Sequence, residues 1–130
     1  MNEWVLVVDD DVTNLKMASR ILSSKDIRVS CAKSGEDAIK FLHDNKPDII
    51  LMDVHMPDMD GFGTIEALKS DDAISDIPFI FLTADDDRDT EIRGIEAGAM
   101  DFIRKPFIPQ VLILRVQNAI ELARYRTGVN

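Results

Sequence analysis

Asp53 ends the apolar run IILM and opens a loop rich in Pro, Asp and Gly, so a lone carboxylate directly follows a segment fit for burial. Asp9, Asp10 and Asp11 follow the run VLVV in the same way, Thr83 closes FIFL, and Lys105 stands just beyond DFI. If these runs are parallel strands they open on one sheet edge, and in open α/β sheets ligands gather outside the carboxyl ends of the strands. Three sources of carboxylate, one hydroxyl and one ammonium would then meet in a shallow cleft. Carboxylates crowded in this way raise one another's pKa unless a cation sits among them. Mg²⁺ answers that need, because it takes oxygen ligands, keeps several waters and is typically held by one or two carboxylates plus phosphate oxygens.

The elements that must position these residues are legible as an alternation. Strand runs begin near Val5, Ile27, Ile49, Phe79 and Asp101, each rich in β-branched or aromatic residues. Between the first two, Leu15, Ala18, Ile21 and Leu22 recur at helical spacing; between the next two, Ala38, Phe41 and Leu42 do so behind a Ser34-x-x-Asp37 start signal. Phe62, Ile65 and Leu68 mark a third helix after Gly61, and Ile92 and Ile95 mark a short fourth one that Gly98 stops in a left-handed cap. Pro109 opens the fifth helix, whose apolar stripe is Leu112, Val116, Ala119, Ile120 and Ala123. Five βα units imply right-handed crossovers and a parallel sheet with helices on both faces.

Composition narrows the function. The 130 residues, 45% of them hydrophobic, suit one domain with a sizeable core. A net charge of −9 argues against direct contact with nucleic acid or an anionic membrane and favours cations and basic protein surfaces. The amino terminus has no cationic region with a long apolar segment, and no stretch nears a membrane span, so a cytoplasmic location is expected. The single cysteine, Cys31, reads as a small core residue within IRVSCA.

The motifs VVDD, DVHMPDMDG, TA and KPF, with their spacing, closely resemble the receiver domain of two-component response regulators, from about Val5 to Arg124. The resemblance implies a flavodoxin-like fold with strand order 2-1-3-4-5. It implies Asp53 as phosphoacceptor, an acid pocket of Asp9 and Asp10, and Mg²⁺ bound by Asp10, Asp53 and the backbone carbonyl of His55. Thr83 would bond a phosphoryl oxygen, Lys105 would pair with the phosphate, and Phe102 would be the aromatic switch residue. A cis Lys105-Pro106 bond is implied as well. The implied partners are a sensor histidine kinase or phosphotransfer protein, an output domain or effector protein, and a second copy in a phosphorylation-dependent homodimer. Residues 1–124 form the receiver in this reading, with 125–130 a tail or the start of a linker to an output domain.

Physical reasons attach to each role. An aspartate carboxylate can attack a phosphoryl group to give an acyl phosphate. The transition state is loose and in line, so the protein mainly positions the donor and neutralises charge on the equatorial oxygens. Lysine serves as a mobile point charge and a hydroxyl rotates to meet the arriving oxygen. Other residues nearby have plainer readings: Asp11 as a helix start, the His55 side chain as exposed, Met52, Met56 and Met59 as packing, and Asp85 to Asp89 as a solvated loop and helix start. Two further functions compete, a free-standing Mg²⁺ phosphohydrolase and a receiver that binds proteins without being phosphorylated. The hydrolase lacks a second acid at Asp-x-Asp spacing, and a flavin module would need a hydroxyl- and glycine-rich loop where this chain has three acids.

Overall fold

In a computed structural model, which describes residues 3–84, 86 and 88–127, the chain alternates strand and helix throughout. The elements are β1 (Trp4–Val8), α1 (Val12–Ser23), β2 (Arg28–Ala32), α2 (Gly35–Asp44), β3 (Ile49–Asp53), α3 (Gly61–Lys69), β4 (Phe79–Thr83), α4 (Arg88–Glu96), β5 (Asp101–Arg104) and α5 (Pro109–Thr127). All pairings are parallel and the order is β2-β1-β3-β4-β5, the flavodoxin-like arrangement the motifs imply.

The apolar runs exist because the central strands are covered twice. Val5, Val7, Leu51, Ile80, Leu82 and Ile103 face the layer of α1 and α5; Leu6, Val8, Ile50, Met52, Phe79 and Phe81 face the layer of α2 and α3. With both faces dry, alternation disappears and β3 and β4 are buried along their whole length. Caps set the helix starts: Asp11 accepts from the Thr13 amide, Ser34 from Asp37 and Asp60 from Gly63. Gly98 takes φ 96° just after α4, the left-handed conformation that glycine adopts at no steric cost.

One sequence reading is corrected. Cys31 is exposed, not core, because β2 is an edge strand only partly covered; its Sγ lies 3.3 Å from Ser19 Oγ on α1. Ile92 and Ile95 do lie on a short fourth helix, α4, but on its outer side: they are 46% and 62% exposed, and the buried residue of that helix is Gly94. The helix is short and meets the sheet through a residue without a side chain, which turns its isoleucines outward. The last helix, α5, runs to Thr127. Asp85 and Asp87 of the charged run, and residues 128–130, lie outside the described residues. No helix among the described residues is long and apolar enough to cross a membrane.

Candidate functional site

The parallel sheet carries the carboxyl ends of β1, β3, β4 and β5 to one edge, and the sequence-derived site assembles there. Asp9 follows β1, and its backbone amide bonds to the Ala32 carbonyl at 3.1 Å, which extends the β1–β2 ladder by one step. Asp53 is the last residue of β3, in register with Leu82, so Thr83 projects one residue further along the same edge. The Lys105 amide donates to the Thr83 carbonyl at 2.9 Å, which holds the start of the lysine loop against the end of β4. The Lys105-Pro106 bond is cis.

Lys105 is the electrostatic centre. Its Nζ donates to Asp53 Oδ1 at 2.9 Å and lies 2.9 Å from Asp9 Oδ2. Both acids are buried, at 0% exposure for Asp9 and 3% for Asp53. Burial pushes the Asp53 carboxyl up; Lys105 opposes this and Asp9 reinforces it, and the result is a pKa of about 6. For Lys105 burial acts to lower the pKa, but contact with the Asp9 and Asp53 carboxylates outweighs it and the ammonium is held above its ordinary value.

Asp10 completes the acid set. Unlike its neighbours it is exposed, yet carboxylate oxygens of Asp9, Asp10 and Asp53 all lie within 4.8 Å of one another. Asp9 Oδ1 accepts from the Asp11 amide at 3.0 Å, whereas Oδ2 is buried and has no aligned hydrogen bond. Three carboxylates, two of them buried, against the single ammonium of Lys105 suit a hard divalent cation.

The loop after Asp53 is held close to the site. Gly61 donates its amide to the Val54 carbonyl at 2.9 Å, and a Cβ on Gly61 would stand 2.3 Å from the Asp53 carbonyl oxygen. Only glycine lets the chain fold back this tightly, a role not assigned to Gly61 from sequence; its place at the end of a Pro/Asp-rich loop was the available signal. Asp58 in this loop takes φ 67°, a conformation Asp tolerates better than most residues. The His55 side chain is exposed, while Met52 and Met56 are buried and Met59 partly so, in line with packing.

Residues 5–117 match the response regulator receiver domain family. The chain belongs to that family. It is 40% identical over all its 130 residues to the response regulator PleD of Caulobacter vibrioides, 28% of which it covers. To the transcriptional regulatory protein PrrA of Mycobacterium tuberculosis it is 38% identical over 113 residues, 87% of this chain and 48% of that protein. The receiver thus spans about half or less of the length of these curated relatives. Among solved structures it resembles the chemotaxis protein CheY4 of Vibrio cholerae, with a TM-score of 0.86 and 28% identity over 92% of this chain and 99% of that one. The receiver domain of the Francisella response regulator 1452 gives a TM-score of 0.84 and 30% identity over 92% and 98%. The receiver is therefore a signalling domain of two-component systems.

At the other side of Thr83 the structure brings in Phe102. It is half-buried on β5, in register with Phe81, the two ring centroids 5.9 Å apart. A groove of about 380 Å³ opens beside Thr83 and Phe102 and runs between α4 and α5 past Ile108, Val111 and Arg115. At the rim, Arg104 pairs with Asp86, and Arg115 makes a forked pair with Asp101 at 2.7 and 2.8 Å.

Proposed function

We propose that this receiver accepts a phosphoryl group on Asp53 from a histidine kinase, a phosphotransfer protein or a small phosphodonor, in a reaction that requires Mg²⁺. The observation that carries the reading is the Asp53 carboxylate at the end of a buried strand, 2.9 Å from Lys105 Nζ and beside the Asp9 and Asp10 carboxylates. Asp53, Asp9, Asp10 and the backbone carbonyl of His55 are the groups that would hold the metal. When bound, it supplies positive charge to the phosphoryl oxygens and offsets the crowded acids.

An Asp53 oxygen attacks phosphorus as the bond from phosphorus to the donor oxygen or imidazole nitrogen breaks, and the leaving group keeps the electron pair. Lys105 follows the charge from the carboxylate to a phosphoryl oxygen, a short excursion for a flexible ammonium. The Thr83 hydroxyl bonds another phosphoryl oxygen and so couples chemistry to Phe102 and to the surface of α4, β5 and α5. That surface serves as the contact face for an effector domain or protein, or for a second copy of the receiver; Ile92, Ile95, Ile108 and Leu114 leave apolar area exposed on it.

Incubation with acetyl phosphate, read by intact mass, tests the proposal. One phosphoryl group should appear with Mg²⁺ and not in chelator, and Asp53→Asn should abolish it; a full signal in that variant would remove Asp53 from the role.

A further inference from the structure

A close approach on α4, opposite Phe102, extends this reading. Gly94 lies in the last turn of the helix, with its carbonyl accepting from the Ala99 amide at 3.0 Å, and glycine there is still unfavourable relative to alanine. Its φ is not positive, so no turn geometry demands glycine at this point. What demands it is the ring of Phe102. A Cβ built on Gly94 would stand 2.1 Å from Phe102 Cζ, 2.9 Å from Cε1 and 3.1 Å from Cε2, so the far edge of the ring points into the helix backbone. The contact atoms belong to the tip of a side chain and not to a strand backbone. A methyl group at 94 would therefore move the ring before it moved the sheet.

We propose that Gly94 is the positioning residue for Phe102: the bare helix backbone is a seat that holds the ring against α4 in the unphosphorylated receiver. Two surroundings define the alternatives open to the ring. Phe81 bounds the seat on the sheet side, and the groove lined by Thr83, Thr90 and Arg104 opens beside it. A ring expelled from the seat turns toward that groove, the region through which Thr83 would act on phosphorylation. The seat also accounts for the packing of α4, which has no fully buried apolar side chain of its own and meets the sheet through this contact, with Ala97 just after the helix partly buried against the same core cluster. Any substitution at 94 that adds a side chain then biases the switch without touching Asp53.

The proposal rests on Phe102 being the switch, and its test separates the two ideas. Four versions of this 130-residue chain are compared: unsubstituted, Gly94→Ala, Phe102→Ala and the double variant. Alanine is the better helix former, so with no clash Gly94→Ala should raise the melting temperature by roughly 4 °C. The seat predicts a fall in the native background and a rise in the Phe102→Ala background, because the truncated ring leaves room for the new methyl. It also predicts that Gly94→Ala, before any phosphodonor is added, shows faster amide exchange over Arg88 to Arg104 while still accepting phosphate on Asp53 by intact mass. A native-background variant that fails to fold beside a folded double variant supports the seat equally. A rise of the same size in both backgrounds, or failure of both to fold, overturns it. Opposite signs in the two backgrounds, with no change over Asp101 to Arg104 when the unsubstituted chain is phosphorylated, would keep the seat and overturn the switch.

Discussion

Asp53→Asn should stabilise the metal-free receiver, by an amount that grows with pH. Burial first, then the Asp9 carboxylate, outweigh Lys105 and raise Asp53 from 3.8 to about 6. The unfolded chain releases that proton near the ordinary value, so between the two values the folded state binds more protons than the unfolded one. The stability tied to the raised pKa is thus fully present below about pH 4 and is lost as pH rises through about 6. At neutral pH the ionised, buried carboxylate costs the fold about 3 kcal/mol. Asparagine keeps the volume and an oxygen acceptor for Lys105, whose ammonium retains Asp9 Oδ2 at 2.9 Å, so little compensating contact is lost. The expected gain in chelator at about pH 8 is about 1 to 3 kcal/mol, or roughly 4 to 12 °C for a domain of this size. Thermal unfolding of both proteins in EDTA at about pH 5 and about pH 8, repeated with Mg²⁺, measures it. Near pH 5 the difference should fall to about half of its pH 8 value, because the unfolded carboxyl is already ionised while the folded one still holds its proton; it should nearly vanish only below about pH 4, and Mg²⁺ should shrink it at pH 8. Equal melting temperatures in chelator at the higher pH, or a gain that ignores pH, would refute the electrostatic reasoning.

Thr83→Ala should still accept phosphate on Asp53 but lose most of the phosphorylation-dependent change in amide exchange over Ile92 to Ile103; an unaltered change would move the coupling to Lys105 or the Val54 to Gly61 loop. Gly61→Ala should destabilise the fold by about 1 to 3 kcal/mol in urea titration and slow phosphorylation from acetyl phosphate, because the obstructing atoms are the Asp53 and Val54 backbone and not a mobile side chain. Trp4, bonded through Nε1 to Ser30 Oγ and edge-on to Phe41, begins β1 some five residues from Asp9, about 16 Å along the strand. Its fluorescence should respond weakly to Mg²⁺, and strong quenching at saturation would contradict the placement of β1 relative to the acids.

The sequence by itself determined what local chemistry and periodicity can determine. The dry runs VLVV, IILM and FIFL read as strands covered on both faces because they are short, rich in β-branched or aromatic residues, bounded by turn-forming residues and without alternation. Asp53, Asp9, Thr83 and Lys105 were then obliged to share one edge, since parallel strands all end on the same side. Tertiary structure decided what depends on who covers whom. Cys31 is exposed because β2 is an edge strand, and no property of IRVSCA states which strand lies outermost. Ile92 and Ile95 face solvent because α4 is applied to the sheet through Gly94, whereas helical spacing reports the existence of an apolar stripe and not the direction in which it points. Only the three-dimensional arrangement sets the rise of the Asp53 pKa, which follows from burial and from acids that come from strands far apart in sequence. The closeness of Gly94 to Phe102 is of the same kind: a missing Cβ leaves no pattern along the chain, and its meaning appears only when a ring from another element occupies the space.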